Sequence, residues 1–223
     1  MAFAREIEPQ VRLALQKFPV VGITGPRQSG KTTLCKMLAP DYTYVNLEDL
    51  SVRNFAQTDP KGFLETYQNG AILDEIQDVP ELFSYLQVYT DARGRKGEYL
   101  ITGSQHFLLL EKIAQSLAGR VSLFHLLPFS VSELRTHHFT FPDWEGYAMR
   151  GGYPRIWVED IPPFLYYESY VKTYVERDVR LMKIIADLAL FQKFLFLLAG
   201  RVGQLFNQSS LATVLGIEHI KEL

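Results

Sequence analysis

A single cysteine, Cys35, stands among the 223 residues, so no internal disulfide can staple this chain. The opening stretch Met-Ala-Phe-Ala-Arg-Glu-Ile-Glu lacks the apolar core of a secretory signal. These two absences predict a cytoplasmic protein. Only Leu181 to Gly200 approaches membrane length, and Lys183, Asp187 and Lys193 interrupt it, which argues for a buried helix against a membrane span. An excess of charge is missing too: 23 Lys and Arg stand against 25 Asp and Glu, for a net charge of -2. The chain as a whole therefore exerts no pull on nucleic acid or an anionic membrane, and such a partner would need a local patch. Internal repeats and low-complexity tracts are absent. His106, His125, His137, His138 and His219 lack metal-ligand spacing, and no G-x-S-x-G elbow offers a hydrolase nucleophile.

What the chain does have is material for a core, with 47% hydrophobic and 13% aromatic residues. Its length corresponds to roughly one and a half typical domains. Up to about Leu127 short apolar runs alternate with helical stretches, and beyond it only helical spacing occurs. The pattern predicts an α/β domain over residues 1–135 and a helical domain over 136–223. In the first, an amphipathic helix from Arg5 to Phe18 precedes strands at Pro19 to Thr24, Tyr42 to Leu47, Ala71 to Asp74, Tyr99 to Thr102 and Val121 to Leu126. Helices are expected over Lys31 to Leu38, Pro60 to Gln68, Pro80 to Ala92 and from Ser104 to Ala118. Alternation at this spacing gives a mainly parallel sheet of about five strands with helices on both faces.

The residues that carry chemistry begin at Gly25-Pro26-Arg27-Gln28-Ser29-Gly30-Lys31-Thr32, which matches the phosphate-loop pattern G-x-x-x-x-G-K-[ST] between an expected strand and an expected helix. Such a loop wraps a phosphate in backbone amides, with glycines where a Cβ would block the approach. Lys31 would reach the β and γ phosphates, Thr32 would offer its hydroxyl to Mg²⁺, and the helix N-terminus would add its dipole. Gly25 through Thr33 are the candidate nucleotide-binding residues.

Ala71-Ile72-Leu73-Asp74-Glu75 is an apolar strand ending in two acids. In a parallel sheet the carboxyl ends of the strands form the ligand crevice, so Asp74 would emerge near Thr32 and hold Mg²⁺, directly or through water. Glu75, one residue on, points elsewhere and could polarise a water for in-line attack. Taken alone, two acids capping the next helix would explain the same pair. At the end of the fourth strand, Thr102 and Ser104 could contact the γ phosphate or the attacking water, and a plain strand-to-helix turn explains them equally.

Together with Leu73-Asp74-Glu75-Ile76-Gln77, Leu100-Ile101-Thr102-Gly103-Ser104-Gln105, Ser116-Leu117-Ala118-Gly119-Arg120 and Leu127-Pro128-Phe129-Ser130, the loop resembles that of the prokaryotic AAA-type ATPases with a C-terminal domain of unknown function. Gly151-Gly152-Tyr153-Pro154 and Tyr174-Val175-Glu176-Arg177-Asp178-Val179 are similar to the start of that C-terminal domain. The resemblance implies an AAA+ core with Walker A at Gly25 to Thr32, Walker B at Asp74 and Glu75, and a sensor residue near Ser104. ATP and Mg²⁺ are the implied ligands and Lys31, Glu75 and Ser104 the implied catalytic residues. Members of this class often complete the site with an arginine, frequently from a neighbouring subunit. Arg120 is the first candidate for it, ahead of Arg155 and Arg177, and a homo-oligomer would follow.

From Trp144 onward helices are expected at Trp144 to Arg150, Pro163 to about Arg180 and Asp187 to Ala199, the last apolar nearly all round. A helix of that kind needs something to cover it. Asn207 to Ile217 resembles the first helix and turn of a helix-turn-helix, and Glu218 to Leu223 are too few for a recognition helix. The helical domain is thus expected to stop early relative to the resembled family, or to bury its apolar helix between two chains. Three functions compete: a Mg²⁺-dependent ATPase, a nucleotide-gated DNA- or protein-binding module with little hydrolysis, and a P-loop kinase. Glu75 directly after Asp74 favours water as the acceptor, and the absence of an arginine-rich lid ranks the kinase last. The incomplete helix-turn-helix points toward DNA, whereas the near-neutral C-terminal half points away from it.

Overall fold

A computed structural model of the chain describes residues 3–104, 116–175 and 187–217. They fall into two compact units, Met1–Ile161 and Pro162–Leu223. The first opens with α1 (Glu8–Leu15), then β1 (Val20–Thr24), α2 (Lys31–Leu38), β2 (Thr43–Asn46), α3 (Leu50–Thr58), α4 (Pro60–Thr66) and β3 (Ala71–Asp74). A 3₁₀ turn at Ile76–Asp78 leads to α5 (Leu82–Arg93), β4 (Tyr99–Gly103) and β5 (Val121–His125). Three short helices follow: α6 (Val131–Thr136), α7 (Trp144–Arg150) and α8 (Pro154–Val158).

The five strands form one sheet in the order β2-β3-β4-β1-β5, with every pair parallel. Alternating residues of one strand feed opposite cores, because successive side chains leave opposite faces. Val20, Val45, Leu73 and Ile101 pack with Phe63, Leu82 and Leu86 on the side of α4 and α5. Val21, Ile23, Ile72 and Leu100 pack with Val11, Leu34, Cys35 and Leu38 on the side of α1 and α2. Burial on both faces explains why β1, β3 and β4 read as continuous apolar runs.

The second unit contains α9 (Pro163–Tyr170), which continues as a π-helical turn over Val171–Val175, then α10 (Leu188–Ala199) and α11 (Gln208–Leu215). Side chains cap both later helices: Asp187 accepts from Ala189 N and Leu190 N, and Asn207 accepts from Ser210 N. No residue of α10 is fully buried, and Phe196 is 80% exposed. No helix among the described residues is long and apolar enough to cross a membrane.

The structure adds α3, α6 and α8 to the expected elements. The expected division after residue 135 also differs from the compact one: residues 136–161 lie in the unit that holds the sheet. Ring contacts explain this, since Phe139 lies tilted against Phe129 and Trp157 at 6.4 and 5.8 Å between centroids. Most of the helix expected between Ser104 and Ala118, the Glu176-Arg177-Asp178-Val179 motif and the segment Glu218 to Leu223 lie outside the described residues.

Candidate functional site

Buried β1 aims its C-terminal end at the loop, and the loop's shape is a backbone demand before it is a ligand's. Gly25 has φ +146°, and a Cβ there would sit 2.2 Å from the Leu126 carbonyl oxygen. Gly30, at φ +96°, caps α2 without any side chain, which leaves the first amides of the helix open to an anion. Ser29 is fully buried and its Oγ has no hydrogen-bond partner. An orphaned hydroxyl inside an amide-lined loop fits a phosphate acceptor.

Lys31 is 5% exposed, and its Nζ donates to the carbonyl oxygens of Gly25 and Pro26, each at 3.0 Å. Three donors on an ammonium leave one for a phosphate oxygen. Burial pushes its pKa down, and the carboxylates of Glu75 and Asp74 offset only part of that shift.

Strand register brings the acids to the loop. Leu73 pairs with Ile101 and Ile23 with Thr102, so Asp74 emerges beside Thr102 at the carboxyl end of the sheet, one strand from the end of β1. Thr32 Oγ1 donates to Asp74 Oδ2 at 2.8 Å, Tyr44 Oη donates to the same oxygen at 2.7 Å, and Thr102 Oγ1 donates to Oδ1. A hydroxyl beside a carboxylate is the hard oxygen set that Mg²⁺ takes. No cluster of three or more His, Cys, Asp or Glu that could hold a metal occurs among the described residues. Burial, followed by the bond to Asp74, pushes the Tyr44 hydroxyl up, so it stays protonated and donating.

Glu75 turns away from Asp74 because its backbone is left-handed, at φ 55° and ψ 49°, a sparsely populated region for a residue with a Cβ. Its Oε2 accepts from Gln77 Nε2 at 2.6 Å, from Ser104 N at 3.1 Å and from Ser104 Oγ at 2.9 Å. Burial raises its pKa, but these bonds and the Lys31 charge outweigh burial and leave it below the usual value. The carboxylate is ionised at neutral pH and held in one place. Ser104 therefore reaches Glu75 directly, and Thr102 joins both acids, since Glu75 N donates to Thr102 Oγ1 at 3.3 Å.

The remaining sequence candidates divide. Thr33 borders a cavity beside the loop, and Arg27 lies 3.6 Å from Glu48. Gln28 supplies a left-handed turn at φ 61° within the loop. Arg120 lies apart from this chain's own crevice. It precedes β5 at the amino end of a parallel sheet, opposite the crevice, and its guanidinium is bonded to Asp91 at 2.6 and 2.8 Å. Arg155 pairs with Glu159 at 2.7 Å, and Arg177 lies outside the described residues.

Sequence reasoning missed Arg5, Tyr44, Gln77, Phe129 and Glu133. Arg5 Nη1 donates to the Ser29 carbonyl at 2.9 Å and Nη2 to the Leu127 carbonyl at 2.7 Å, which ties the N-terminal segment to the loop. Glu133 was within reach through its Ser-x-x-Glu spacing, because Ser130 and Glu133 form a capping box at the start of α6. The cavity beside the loop has a volume of about 160 Å³ and is walled by Phe3, Gly30, Thr33, Phe129, Pro154 and Val158. Gly152 lets α8 reach it: a Cβ there would lie 2.4 Å from the Phe129 carbonyl oxygen, and Phe129 N donates to Gly152 O at 2.7 Å.

Comparison with known proteins gives a family and a fold. Residues 17–135, more than half of the chain, match the family described as AAA domain, and residues 141–221 match a domain of unknown function (DUF8612). The uncharacterized proteins Rv2008c of Mycobacterium tuberculosis and Mb2031c of Mycobacterium bovis are each 31% identical over 220 residues, covering 96% of this chain and 48% of theirs. The chain thus spans about half the length of these curated relatives. Among solved structures, the Walker-type ATPase PABY2304 of Pyrococcus abyssi superposes with a TM-score of 0.52 at 14% identity, over 81% of this chain and 75% of that one. This last likeness is one of fold.

Proposed function

The chain belongs to that AAA domain family, and on this premise we propose that it binds ATP with Mg²⁺ at Gly25 to Thr33 and hydrolyses it. The observation that carries the reading is the contact of Thr32 Oγ1 with Asp74 Oδ2 at 2.8 Å, which joins the phosphate loop to the acidic strand end across 42 residues of sequence. Lys31 binds the β and γ phosphates, and Thr32 with Asp74 holds the cation. When bound, Mg²⁺ supplies positive charge to the phosphate oxygens as the transferred group departs. Glu75 orients and deprotonates the attacking water, and Ser104 fixes the carboxylate that does so. Phe3, Phe129, Pro154 and Val158 offer the base an apolar slot next to Thr33.

A second reading, a nucleotide-gated module with little hydrolysis, has its own support. Three donors on Glu75 Oε2 hold the carboxylate at low basicity, which favours slow turnover. Such a module would control DNA, another protein or further copies of the chain, and the DNA partner is sought by the same assay. ATP turnover is measured with and without duplex DNA for the wild type, Lys31→Ala and Glu75→Gln. Lys31→Ala is expected to lose nucleotide binding, and Glu75→Gln to keep binding while losing hydrolysis. Turnover in Glu75→Gln equal to the wild type removes the assigned base. Undetectable wild-type turnover with intact binding favours the gated module.

A further inference from the structure

Tyr44 sits on β2, the edge strand next to β3, whose end carries both acids, and its hydroxyl reaches the site. Strand alternation puts it there: Val45 enters the core on the α4 and α5 side, so Tyr44 faces the side of α2. Asp74 faces that side as well, because Leu73 points into the same core as Val45. Asn46 pairs with Asp74 and Tyr44 with Ile72, which sets the phenol one pleat back from the carboxylate and within its length of Oδ2. The ring is held from the other flank by Lys36, whose Nζ lies 3.5 Å from the ring centroid. Lys36 is one helical turn beyond Thr32, so a single face of α2 carries both the cation's hydroxyl ligand and the clamp on Tyr44.

We propose that Tyr44 is a positioning residue for Mg²⁺: its hydroxyl, with that of Thr102, fixes the Asp74 carboxylate so that Thr32 and Asp74 present a pre-set oxygen pair to the ion. This inference rests on the assignment of Thr32 and Asp74 to the cation. The carboxylate offers about four lone-pair directions, and three hydroxyl donors occupy three of them. Of these, the Thr32 hydroxyl oxygen is the one that turns to a cation. Tyr44 and Thr102 remain to stop the carboxylate from rotating with it. Partners of this kind, bonded to a ligand and not to the metal, typically alter affinity by about 10- to 100-fold.

The test is a binding titration and needs no turnover. A fluorescent, non-hydrolysable ATP analogue is bound to wild type, Tyr44→Phe and Asp74→Asn, and the Mg²⁺ concentration at half-maximal binding is read. Tyr44→Phe keeps the ring under Lys36 and removes only the hydroxyl. Its Mg²⁺ midpoint is expected to rise about tenfold or more, with affinity for the analogue in EDTA and the melting temperature unchanged. A wild-type midpoint in Tyr44→Phe, beside a raised midpoint in Asp74→Asn, overturns the inference and leaves the metal assignment standing. If neither variant moves the midpoint, the metal assignment itself is wrong and the role of Tyr44 falls with it. An equal loss of affinity in EDTA and in Mg²⁺ would make Tyr44 a structural residue of the loop and also overturn the proposal.

Discussion

Arg5 and Glu133 stand 128 residues apart in sequence and meet in a buried ion pair, with Nε 2.8 Å from Oε1 and Nη2 3.2 Å from Oε2. Arg5 ties the pair to the phosphate loop. Arg5 also donates to the Ser29 and Leu127 carbonyls, and Glu133 also accepts from Glu6 N and Ser130 N. Both side chains are 6% exposed, so neither charge can turn to water if its partner is removed. Arg5→Met is therefore expected to cost about 3–5 kcal/mol of stability, the range for breaking a buried pair from one side. Adding Glu133→Leu should cost less than the sum of the two single changes, because the stranded carboxylate is gone. Urea unfolding of the two single variants and the double variant measures both values, and additive losses would deny the coupling.

The same pair predicts an acid dependence. Burial raises the Glu133 pKa, but the bonds from Arg5, Glu6 and Ser130 outweigh it and hold the group below its ordinary 4.5. A depressed folded value stabilises the native state above the unfolded value, and that contribution is lost as pH falls through the folded one. The wild type should thus lose stability below about pH 4.5 more steeply than Glu133→Gln, and melting temperatures between pH 3 and 6 compare the two.

Ser104→Ala removes one of the three bonds on Glu75 Oε2 and leaves the bond from the backbone amide. A hydrogen bond to a charged group contributes roughly 1.5–3 kcal/mol, so turnover should fall about 10- to 100-fold while nucleotide affinity holds. Because the lost bond is one that lowers the Glu75 pKa, the acid limb of the rate profile should move to higher pH. An unchanged limb with a reduced rate would mean that Ser104 acts elsewhere.

Val158 borders the cavity beside the loop and is 44% exposed, so a larger side chain can be placed there without entering a core. Val158→Trp should weaken ATP binding by about tenfold or more, equivalent to ~1.4 kcal/mol, and leave the affinity for inorganic triphosphate unchanged. Calorimetry with the two ligands separates the base slot from the phosphate loop. Equal losses for both would place the base outside this cavity.

The elements most legible in the sequence are those whose signals are local. β3 and α2 fall at their expected residues because an apolar run and a phosphate-loop pattern are each complete within ten residues. α3 escaped because it buries only Ala56, although Asp49 caps it through Ser51 N and Val52 N, a signal readable at short range. The distance of Arg120 from its own chain's crevice was not legible from its neighbours, because it depends on the strand direction. A residue that opens a parallel strand lies at the end away from the ligand crevice.

The sequence by itself determined the phosphate loop, the pair of acids and the alternation that makes the sheet parallel, because these follow from residue types within a few positions of one another. Only the tertiary structure decided that Tyr44 and Thr102 hold Asp74, that Ser104 holds Glu75 and that Arg5 and Glu133 brace the loop. Those contacts span 24 to 128 residues. They exist because strand register and the burial of each face leave every donor few acceptors within reach, and no pattern along the chain encodes which one it meets.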